Sequence, residues 1–352
     1  MTYVISGIQQ VGIGIPNVEE AWRWYRTRLG MDIPIFREAA EAPLMTPYTG
    51  GKVQSRDAVL AINLRGGGGF EIWQYTSRKT VFPKAEPQLG DTGIYAAVLK
   101  AEDVQSAHRF LSSHGCSVLC NPMPHPAGKE VFYLRDPWGN IFQVAACDEW
   151  FVKKGFPNGG TAGALIGVSD MESALKLYRD CLEFDVVSFD ETGVFPDWSA
   201  LPGGNERFRR ICLRRSRPPA GPFAPIFGSC AIELVQALDR KPARIFQNRF
   251  WGDAGFIHLC FDVQGMDALE EKLKSAGFPF TIDSKTPFDM GEAAGRFTYI
   301  EDADGTLIEF VETWKLPVMK KWGWYMNLSK RPMGKPLPKF ILKALGLGRV
   351  RD

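Results

Sequence analysis

The sequence alternates between short apolar runs and longer segments in which apolar residues recur at every third or fourth position. The clearest of these segments, residues 17–30, has its apolar positions at Val18, Ala21, Trp22, Tyr25 and Leu29. This spacing places a single apolar stripe along a helix. Asn17 stands just before the stripe, and asparagine is a favoured residue at a helix N-terminus. The pattern therefore predicts an amphipathic helix that begins at Asn17 and buries one face.

The same arrangement occurs four times along the chain. Each time a run of strand type leads into a helical segment, and these runs cover residues 8–15, 94–99, 164–168 and 256–263. The helices are predicted to begin at Asn17, Asp103, Asp170 and close to Gly265. Further strand-type runs follow each helix, at residues 59–64 and 70–75, 130–134 and 141–145, 209–213 and 231–236, and 296–301 and 306–311. The repeating unit is therefore β-α-β-β-β, and the fold class is α+β.

The second half of the chain repeats the first. Matching residues in the two halves are Tyr25 and Tyr178, Asp32 and Asp185, Asp136 and Asp302, and Gly139 and Gly305. Self-similarity at such a long and regular spacing indicates a duplicated unit. The sequence thus predicts two tandem domains, residues 1–150 and 151–316, with two β-α-β-β-β units each. Residues 317–352 lie outside the repeat and form a third region.

Composition narrows the class of protein. Of the 352 residues, 45% are hydrophobic and 23% are charged, which is typical of a globular chain. No stretch of about 18 consecutive apolar residues predicts a membrane-spanning helix, and the first residues do not resemble a signal peptide. Of the seven cysteines, only Cys116 and Cys120 are close together. This spacing favours reduced thiols, and we expect a cytoplasmic protein.

The net charge of +2 is distributed unevenly. Residues 317–352 contain nine Lys and Arg against one Asp, whereas residues 1–316 contain 33 basic and 39 acidic residues. An acidic body argues against a nucleic-acid partner. The tail mixes cations with aromatic residues at 320–325 and is amphipathic at 339–345. Such a segment can lie weakly on an anionic membrane surface, or it can wrap the body or a partner subunit, which is the interpretation we favour.

Two stretches of sequence carry a resemblance to a known family. One is Gly12-Ile13-Gly14-Ile15-Pro16-Asn17 before the helix that ends at Leu29-Gly30; the other is Tyr133-Leu134-Arg135-Asp136-Pro137-Trp138-Gly139-Asn140, with its counterpart at 299–306. Over about residues 5–315 the chain resembles the vicinal oxygen chelate superfamily. That superfamily includes glyoxalase I, extradiol dioxygenases, methylmalonyl-CoA epimerase and bleomycin-resistance proteins. The resemblance implies four βαβββ modules that pair into two cup-shaped sheets.

The resemblance also implies where metal ligands would stand, namely on the first and last strand of each module. The first-strand positions are Gln10, Ala96, Gly163 and His258, and the last-strand positions are Glu71, Gln143, Glu233 and Glu309. If the two outer modules pair, one cup receives Gln10, Glu71, His258 and Glu309. This Gln/Glu/His/Glu quartet resembles the metal set of glyoxalase I. The inner cup then receives the depleted set Ala96, Gln143, Gly163 and Glu233. We expect this outer pairing, with the side chains of Gln10 and His258 in one cup.

A carboxylate that faces the inside of a cup is costly unless it is paired or bound to a cation. The alternative is that the acids lie on edge-like strands and face solvent. His258 likewise has two interpretations, since a lone strand histidine can be a satisfied core residue. The quartet would bind one divalent ion, either Zn, Ni, Co, Mn or Fe(II), and leave two positions for water or substrate.

The function implied by the resemblance is that of a metal-dependent lyase or isomerase acting on a small carbonyl or hydroxy-carbonyl compound. Lewis-acid polarisation would stabilise an enediolate while Glu309 or Glu71 moves a proton on the adjacent carbon. Trp73, Phe297 and Tyr299 are expected either to face this substrate or to pack in the core. The chain shows no basic pair suited to a glutathione carboxylate.

Two other functions stay open at this point. One is a metal-free protein of the bleomycin-resistance type, whose cups bind an aromatic or drug-like ligand. The other is a non-haem iron dioxygenase-like enzyme. Gly163 stands where extradiol dioxygenases have their first histidine, and Gln10 stands where the epimerase has one, so the sequence departs from both patterns.

Overall fold

Residues 2–285, 288–289, 294–319 and 324–351 are described by the computed structural model of the chain. They form two β-sheets, an outer sheet of ten strands and an inner sheet of nine. One large core contains the backs of both sheets together with the apolar faces of the four helices that follow the first strand of each module. The α+β class and the four βαβββ modules predicted from the sequence are confirmed.

The bounds of the elements follow the predicted modules closely. The first module contains β1 Val4–Gly14, α1 Val18–Leu29, β2 Ile33–Glu41, β3 Ser55–Ile62 and β4 Gly69–Tyr75. The second contains β5 Gly93–Ala101, α2 Val104–Ser113, β6 Ser117–Val118, β7 Met123–Pro124, β8 Glu130–Arg135 and β9 Ile141–Ala146. The third contains β10 Asn158–Gly167, α3 Met171–Leu175 continued by a π-helical turn Lys176–Cys181, β11 Val186–Gly193, β12 Phe208–Arg214, α4 Ala224–Phe227 and β13 Ala231–Ala237.

The fourth module and the tail complete the chain. The fourth module contains β14 Gly255–Gln264, α5 Met266–Ser275, β15 Ile282–Asp283, β16 Phe288–Asp289, β17 Ala294–Glu301 and β18 Leu307–Met319. The tail contains β19 Trp324–Asn327 and α6 Lys339–Ala344, which is followed by a 3-10 turn Leu345–Gly348. Two further 3-10 turns, Pro43–Tyr48 and Pro196–Trp198, lie in the loops of modules one and three.

Each sheet combines one module from each half of the sequence. The outer sheet has the order β15-β17-β18-β14-β1-β4-β3-β2, with β16 on β17 and β19 on β18, and the inner sheet has the order β11-β12-β13-β10-β5-β9-β8-β6, with β7 on β8. The modules join through antiparallel pairs of first strands, β1 with β14 and β5 with β10. The outer modules therefore pair with each other, as expected. The two sequence repeats, residues 1–150 and 151–316, each contribute one module to either sheet.

The repeated motifs perform the same structural task in both halves. Asn17 caps α1 by accepting hydrogen bonds from the backbone N–H of Glu19 and Glu20, each at 3.1 Å. On the same helix, the Tyr25 hydroxyl donates to Asp136 at 2.5 Å, and Tyr178 donates to Asp302 at 2.9 Å in the other half. Each of these buried bonds joins a helix of one sheet to a β-turn of the other. The tyrosine and the Asp-x-x-Gly turn thus recur because they tie the two sheets together.

The described part of the tail packs on the body. β18 continues past residue 316 and pairs with β19. Leu342 is buried in an apolar cluster with Ile33 of β2 and Phe227 of α4, and its neighbour Ile341 is buried as well. This agrees with the favoured interpretation that the tail wraps the body. Residues 320–323, which belong to the predicted basic and aromatic stretch, lie outside the described residues, and contact with a membrane surface or a subunit stays a prediction.

Two findings concern the chain as a whole. In the part of the chain that the structure describes, none of the helices has both the length and the apolarity needed to cross a bilayer. All seven cysteines are free thiols, and four of them are buried: Cys116, Cys181, Cys212 and Cys260.

The packing of α6 predicts that the tail is part of the folded unit. Replacing Leu342, which is fully buried, by Ala should lower the free energy of unfolding by about 2–5 kcal/mol because it leaves a cavity. Replacing Phe340, which is 69% exposed on the same helix, by Ala should change it by less than about 0.5 kcal/mol. Chemical denaturation followed by tryptophan fluorescence measures both. Equal and small effects would mean that the tail is not anchored.

Candidate metal centre

The four predicted ligands stand on four neighbouring strands of the outer sheet, β18, β14, β1 and β4. They fall into two adjacent cross-strand rows. The first row is Glu71, Gly12 and His258, and the second is Gln10, Cys260 and Glu309. Because residues two apart on a strand point to the same face, both rows face the concave side of the sheet. Each row thus has a small residue, Gly12 or Cys260, with one candidate ligand on each side of it.

The side chains of the two rows converge on one point. The Gln10 amide Nε2 donates to Glu71 Oε2 at 3.1 Å and to Glu309 Oε2 at 3.3 Å. The Nε2 atom of His258 lies 3.3 Å from the same oxygen of Glu71 and 3.1 Å from the same oxygen of Glu309. One ligand atom from each of Glu71, His258 and Glu309 lies within 4.8 Å of the other two. The expected placement of Gln10 and His258 in one cup is what the structure shows.

Gly12 makes room for this convergence. A Cβ atom at Gly12 would lie 2.4 Å from the Cε1 atom of His258 and 2.7 Å from both ring nitrogens. Real Cβ atoms do not approach other atoms so closely, so any larger residue would displace the imidazole. The glycine therefore lets the ring of His258 lie across β1 towards Glu71.

Cys260 has the corresponding place in the second row. Its thiol is fully buried between Gln10 and Glu309, and it lies 3.6 Å from the amide oxygen of Gln9. Burial raises the pKa of this thiol well above its usual value, and the negative charge of Glu309 raises it further. Cys260 is therefore a neutral thiol that forms the floor of the site.

The charge balance of the cluster calls for a cation. The side chain of Glu309 is 8% exposed and that of Glu71 is 12% exposed, and two carboxylates so close and so buried repel each other strongly. Burial lowers the pKa of His258, but the charges of Glu309 and Glu71 outweigh burial and raise this pKa to about 10. A protonated imidazole supplies one positive charge, whereas a divalent ion would replace that proton and supply two.

The donor set fits such an ion. Two carboxylate oxygens, an imidazole nitrogen and an amide oxygen suit a divalent first-row metal that binds six ligands. Gln10 Oε1 and His258 Nε2 are buried and make no hydrogen bond with the described residues, although buried polar atoms nearly always have a partner. A half-turn of the Gln10 amide exchanges its oxygen and its nitrogen. Gln10 Oε1 then points towards the carboxylates, as His258 Nε2 already does, and both atoms are placed to bind an ion there.

Tyr299 orients the histidine. Its hydroxyl lies 3.3 Å from His258 Nδ1, and the two rings meet edge to face. Burial and the nearby carboxylates raise the pKa of Tyr299 well above 10, so the hydroxyl stays neutral. A neutral hydroxyl can accept the Nδ1–H of a histidine that binds a metal through Nε2, which is the usual arrangement around metal-ligating histidines.

The cluster closes one end of a cavity of about 440 Å³. Gln10, Glu71 and Glu309 line the cavity, and so do Phe297 and Tyr299. This size is typical of sites that bind small molecules. The structure thus brings two of the three predicted substrate-facing residues to the cavity.

Trp73 is not brought to the cavity. Its side chain is fully buried, lies across Gly252 and meets Tyr75 and Trp251 edge to face at 4.6 and 4.7 Å. Although Trp73 shares a face with Glu71 on β4, the loop that contains Trp251 and Gly252 covers it. Trp73 therefore packs in the core, which was the alternative expectation. Its predicted place in the substrate pocket is corrected accordingly.

The inner cup differs because an arginine of the protein binds its glutamate directly. Glu233 forms an ion pair with Arg210, whose guanidinium is fully buried and also binds Asp197 at 2.9 Å. His125 Nε2 lies 3.1 Å from Glu233 as well. Burial opposes ionisation of Glu233, but Arg210 and His125 outweigh it and lower its pKa to about 2. A guanidinium thus stands beside Glu233 at the place where, in the outer cup, the carboxylates meet only an imidazole and an amide.

The remaining inner positions are structural. Gln143 donates to the hydroxyl of Tyr133 at 2.8 Å, and Trp198 donates to the same oxygen at 3.0 Å. The guanidinium of Arg210 lies 3.8 Å from the ring centre of Trp198. Ala96 is buried in this apolar cluster, and Gly163 lies against the backbone of Ala231. Among the described residues of the inner cup, Asp197 Oδ2 and Arg210 Nη2 lack a hydrogen-bond partner, whereas Glu233 and Gln143 are both bound by neighbouring side chains.

Three residues of the outer site were missed by sequence reasoning. Gly12 and Cys260 could have been found from strand periodicity, since each stands two residues from a predicted ligand on the same strand. Arg56 lines the cavity. Burial raises the pKa of Glu71, His258 lowers it, and Arg56 lowers it further by a smaller amount. Its position on β3 opposite Tyr75 depends on strand register, which the sequence pattern alone does not define.

Comparisons with known proteins agree with this fold. The model of the Glyoxalase/Bleomycin resistance protein/Dioxygenase superfamily matches residues 7–144 and 162–310. Glyoxalase I from Zea mays has a similar structure, with a TM-score of 0.52 and 12% identity over 88% of this chain and 92% of that one. A protein from Bacillus subtilis subsp. subtilis str. 168, named only as a candidate dioxygenase, has a TM-score of 0.53 and 14% identity over 88% of this chain and 86% of that one.

At these identities the structural neighbours establish the fold alone, and no curated protein matches the chain. The family model is more informative because it covers most of the chain in two repeats, and these repeats supply all four strands of the candidate site. By that match, the chain belongs to the Glyoxalase/Bleomycin resistance protein/Dioxygenase superfamily.

Proposed function

We propose that this protein is a divalent-metal-dependent lyase or isomerase of glyoxalase type, acting on a carbonyl or hydroxy-carbonyl compound. The observation that supports this proposal is the convergence of Gln10, Glu71, His258 and Glu309 at the closed end of an apolar cavity. Such clusters of buried, perturbed titratable groups in clefts are characteristic of functional sites.

Four residues would bind the ion, and each is contributed by a different strand. When bound, a divalent ion there would act as a Lewis acid towards the oxygens of a carbonyl or hydroxyl group. Tyr299 holds His258 in the required orientation, and Gly12 leaves space for its ring. These contacts preorganise the ligand set before substrate arrives.

The carboxylates would also move the proton. Glu309 and Glu71 both line the cavity, so each can reach a carbon next to the substrate's carbonyl group. In a hydroxy-carbonyl compound, a carboxylate would accept the proton from one carbon and return it to the neighbouring carbon, while the hydroxyl proton passes to the other oxygen, which completes an isomerisation. The largely apolar walls of the cavity lower the polarity around the cluster, which strengthens the electrostatic interactions there.

Neither alternative function is favoured by a specific observation. Non-haem iron oxygenases use two histidines and one carboxylate, whereas the described residues of the cluster include one histidine and two carboxylates. A binding protein that uses no metal would leave two carboxylates in mutual contact with one histidine, at a cost in stability.

Metal content tests the ligand set. We expect protein purified without a His tag or chelator to contain about one divalent ion per chain by elemental mass spectrometry, and His258→Ala to lose it. His125→Ala is the matched control, since His125 contacts Glu233 in the inner cup, and it should retain the ion. Loss of metal in both variants, or no ion in the wild type even after soaking with Ni²⁺, Zn²⁺ and Fe²⁺, would contradict the assignment.

The role of Gly12 is testable separately. Gly12→Ala should weaken Zn²⁺ binding by roughly 10–100-fold because its Cβ displaces His258. Gly193→Ala serves as the control, since a Cβ there meets no atom within 4 Å. Competition with a chromophoric chelator measures both affinities. Equal affinities in the two variants would show that the imidazole does not need this space.

Proton transfer can be tested without the natural substrate. Zn²⁺-loaded protein should catalyse exchange of the CH₂ protons of 2-hydroxyacetophenone with D₂O, followed by NMR. We expect Glu309→Gln or Glu71→Gln to slow this exchange by about 100-fold or more. Glu41→Gln, at an exposed residue that lines the same cavity, should leave the rate unchanged. An unaltered rate in both cluster variants, with metal retained, would remove these carboxylates from the mechanism.

A further inference from the structure

The walls of the cavity beyond the cluster are almost entirely apolar. Side chains from β2, the 3-10 turn Pro43–Tyr48, β3, α4 and the tail form them, including Ile35, Phe36, Leu44, Leu60, Ile226 and Leu345. A polar substrate would lose its hydration in such a space without gaining hydrogen bonds, which costs free energy. The walls therefore suit a hydrocarbon group.

The charges around the cavity are predominantly negative. Outside the cluster, Glu38 and Glu41 line it together with Arg56, which is the one Lys or Arg among its described lining residues. The Arg56 guanidinium already donates to the backbone oxygen of Glu38 at 2.8 Å and to its carboxylate at 2.9 Å. No uncommitted cation is therefore available here, among the residues described, to receive an anionic substrate.

We infer that the substrate is an uncharged molecule with two adjacent oxygen atoms at one end and an extended apolar group at the other. This inference rests on the proposed function for the oxygen-bearing end, since four protein ligands leave two positions on a six-coordinate ion. The apolar group occupies the cavity between the cluster and Leu345. An anionic conjugate such as a glutathione adduct is excluded, because its carboxylates would face Glu38 and Glu41.

The tail contributes to this specificity. Leu345 lines the cavity from the 3-10 turn that follows α6. Leu347 lies on the same turn but is 79% exposed. The two leucines therefore form a matched pair, one of which should affect the binding of an apolar group and one of which should not.

A series of 4-alkylcatechols tests the inference, since each member has the same two adjacent oxygens and differs only in its alkyl chain. Isothermal titration calorimetry under anaerobic conditions would compare 4-methyl-, 4-butyl- and 4-hexylcatechol on Zn²⁺-loaded protein. We expect affinity to rise about fourfold for each added methylene until the cavity is filled. S-hexylglutathione, which has the same alkyl chain on an anionic group, should bind at least 100-fold more weakly than 4-hexylcatechol.

The variants and a metal-free sample complete the test. Leu345→Asp should weaken binding of 4-hexylcatechol at least tenfold and leave 4-methylcatechol unchanged, whereas Leu347→Asp should leave both unchanged. Protein stripped of metal with EDTA should bind every catechol more weakly but show the same dependence on chain length.

The outcomes separate this inference from the function on which it rests. Affinity that does not depend on chain length, or tighter binding of S-hexylglutathione, would overturn the inference. Failure of Zn²⁺ to bind, or to strengthen catechol binding, would overturn the proposed function. In that case the chain-length dependence of the stripped protein still decides whether the cavity selects an apolar group.

Discussion

Two carboxylates buried within reach of one imidazole are the constraint on which the rest of the outer sheet depends. Glu71 and Glu309 come from strands that are separated by β1 and β14, yet their oxygens lie about 3 Å from the same atoms of Gln10 and His258. Repulsion between such groups is strong where water is excluded. The fold tolerates this arrangement because the first strands of modules one and four pair in register, with Gly12 and Cys260 between the charged residues.

The inner sheet shows the same constraint with a different solution. Glu233 stands on the last strand of its module, as Glu71 does. Arg210 from the neighbouring strand binds Glu233, and the ring of Trp198 packs against the Arg210 guanidinium. A guanidinium is permanently charged and bonds directly to both carboxylates, so the space beside Glu233 is already occupied by a cation of the protein. The two cups thus have the same strand arrangement but different interiors. The inner cup is packed with apolar side chains, and the outer cup contains a cavity.

Much of the fold could be predicted from local patterns. The stripe after Asn17 and the caps at Asp103 and Asp170 predicted the helices, because caps and periodicity act within a few residues. The ligand positions came from the family resemblance together with a count back from those caps. What could not be predicted depends on distant contacts. Trp73 shares a face with Glu71, but Trp251, 178 residues further along the chain, covers it. Arg210 reaches Glu233 only because the register of β12 on β13 places it opposite Val235, two residues along the strand.

The central claim is that one ion binds between Gln10, Glu71, His258 and Glu309 and that none binds beside Glu233. A crystal structure of Zn²⁺-soaked protein, with anomalous diffraction collected on both sides of the zinc edge, tests it most directly. We predict a single strong anomalous peak within roughly 2.0–2.2 Å of a ligand atom from each of the four side chains. A peak in the inner cup, a peak that contacts fewer than three of these four side chains, or no peak at all would contradict it.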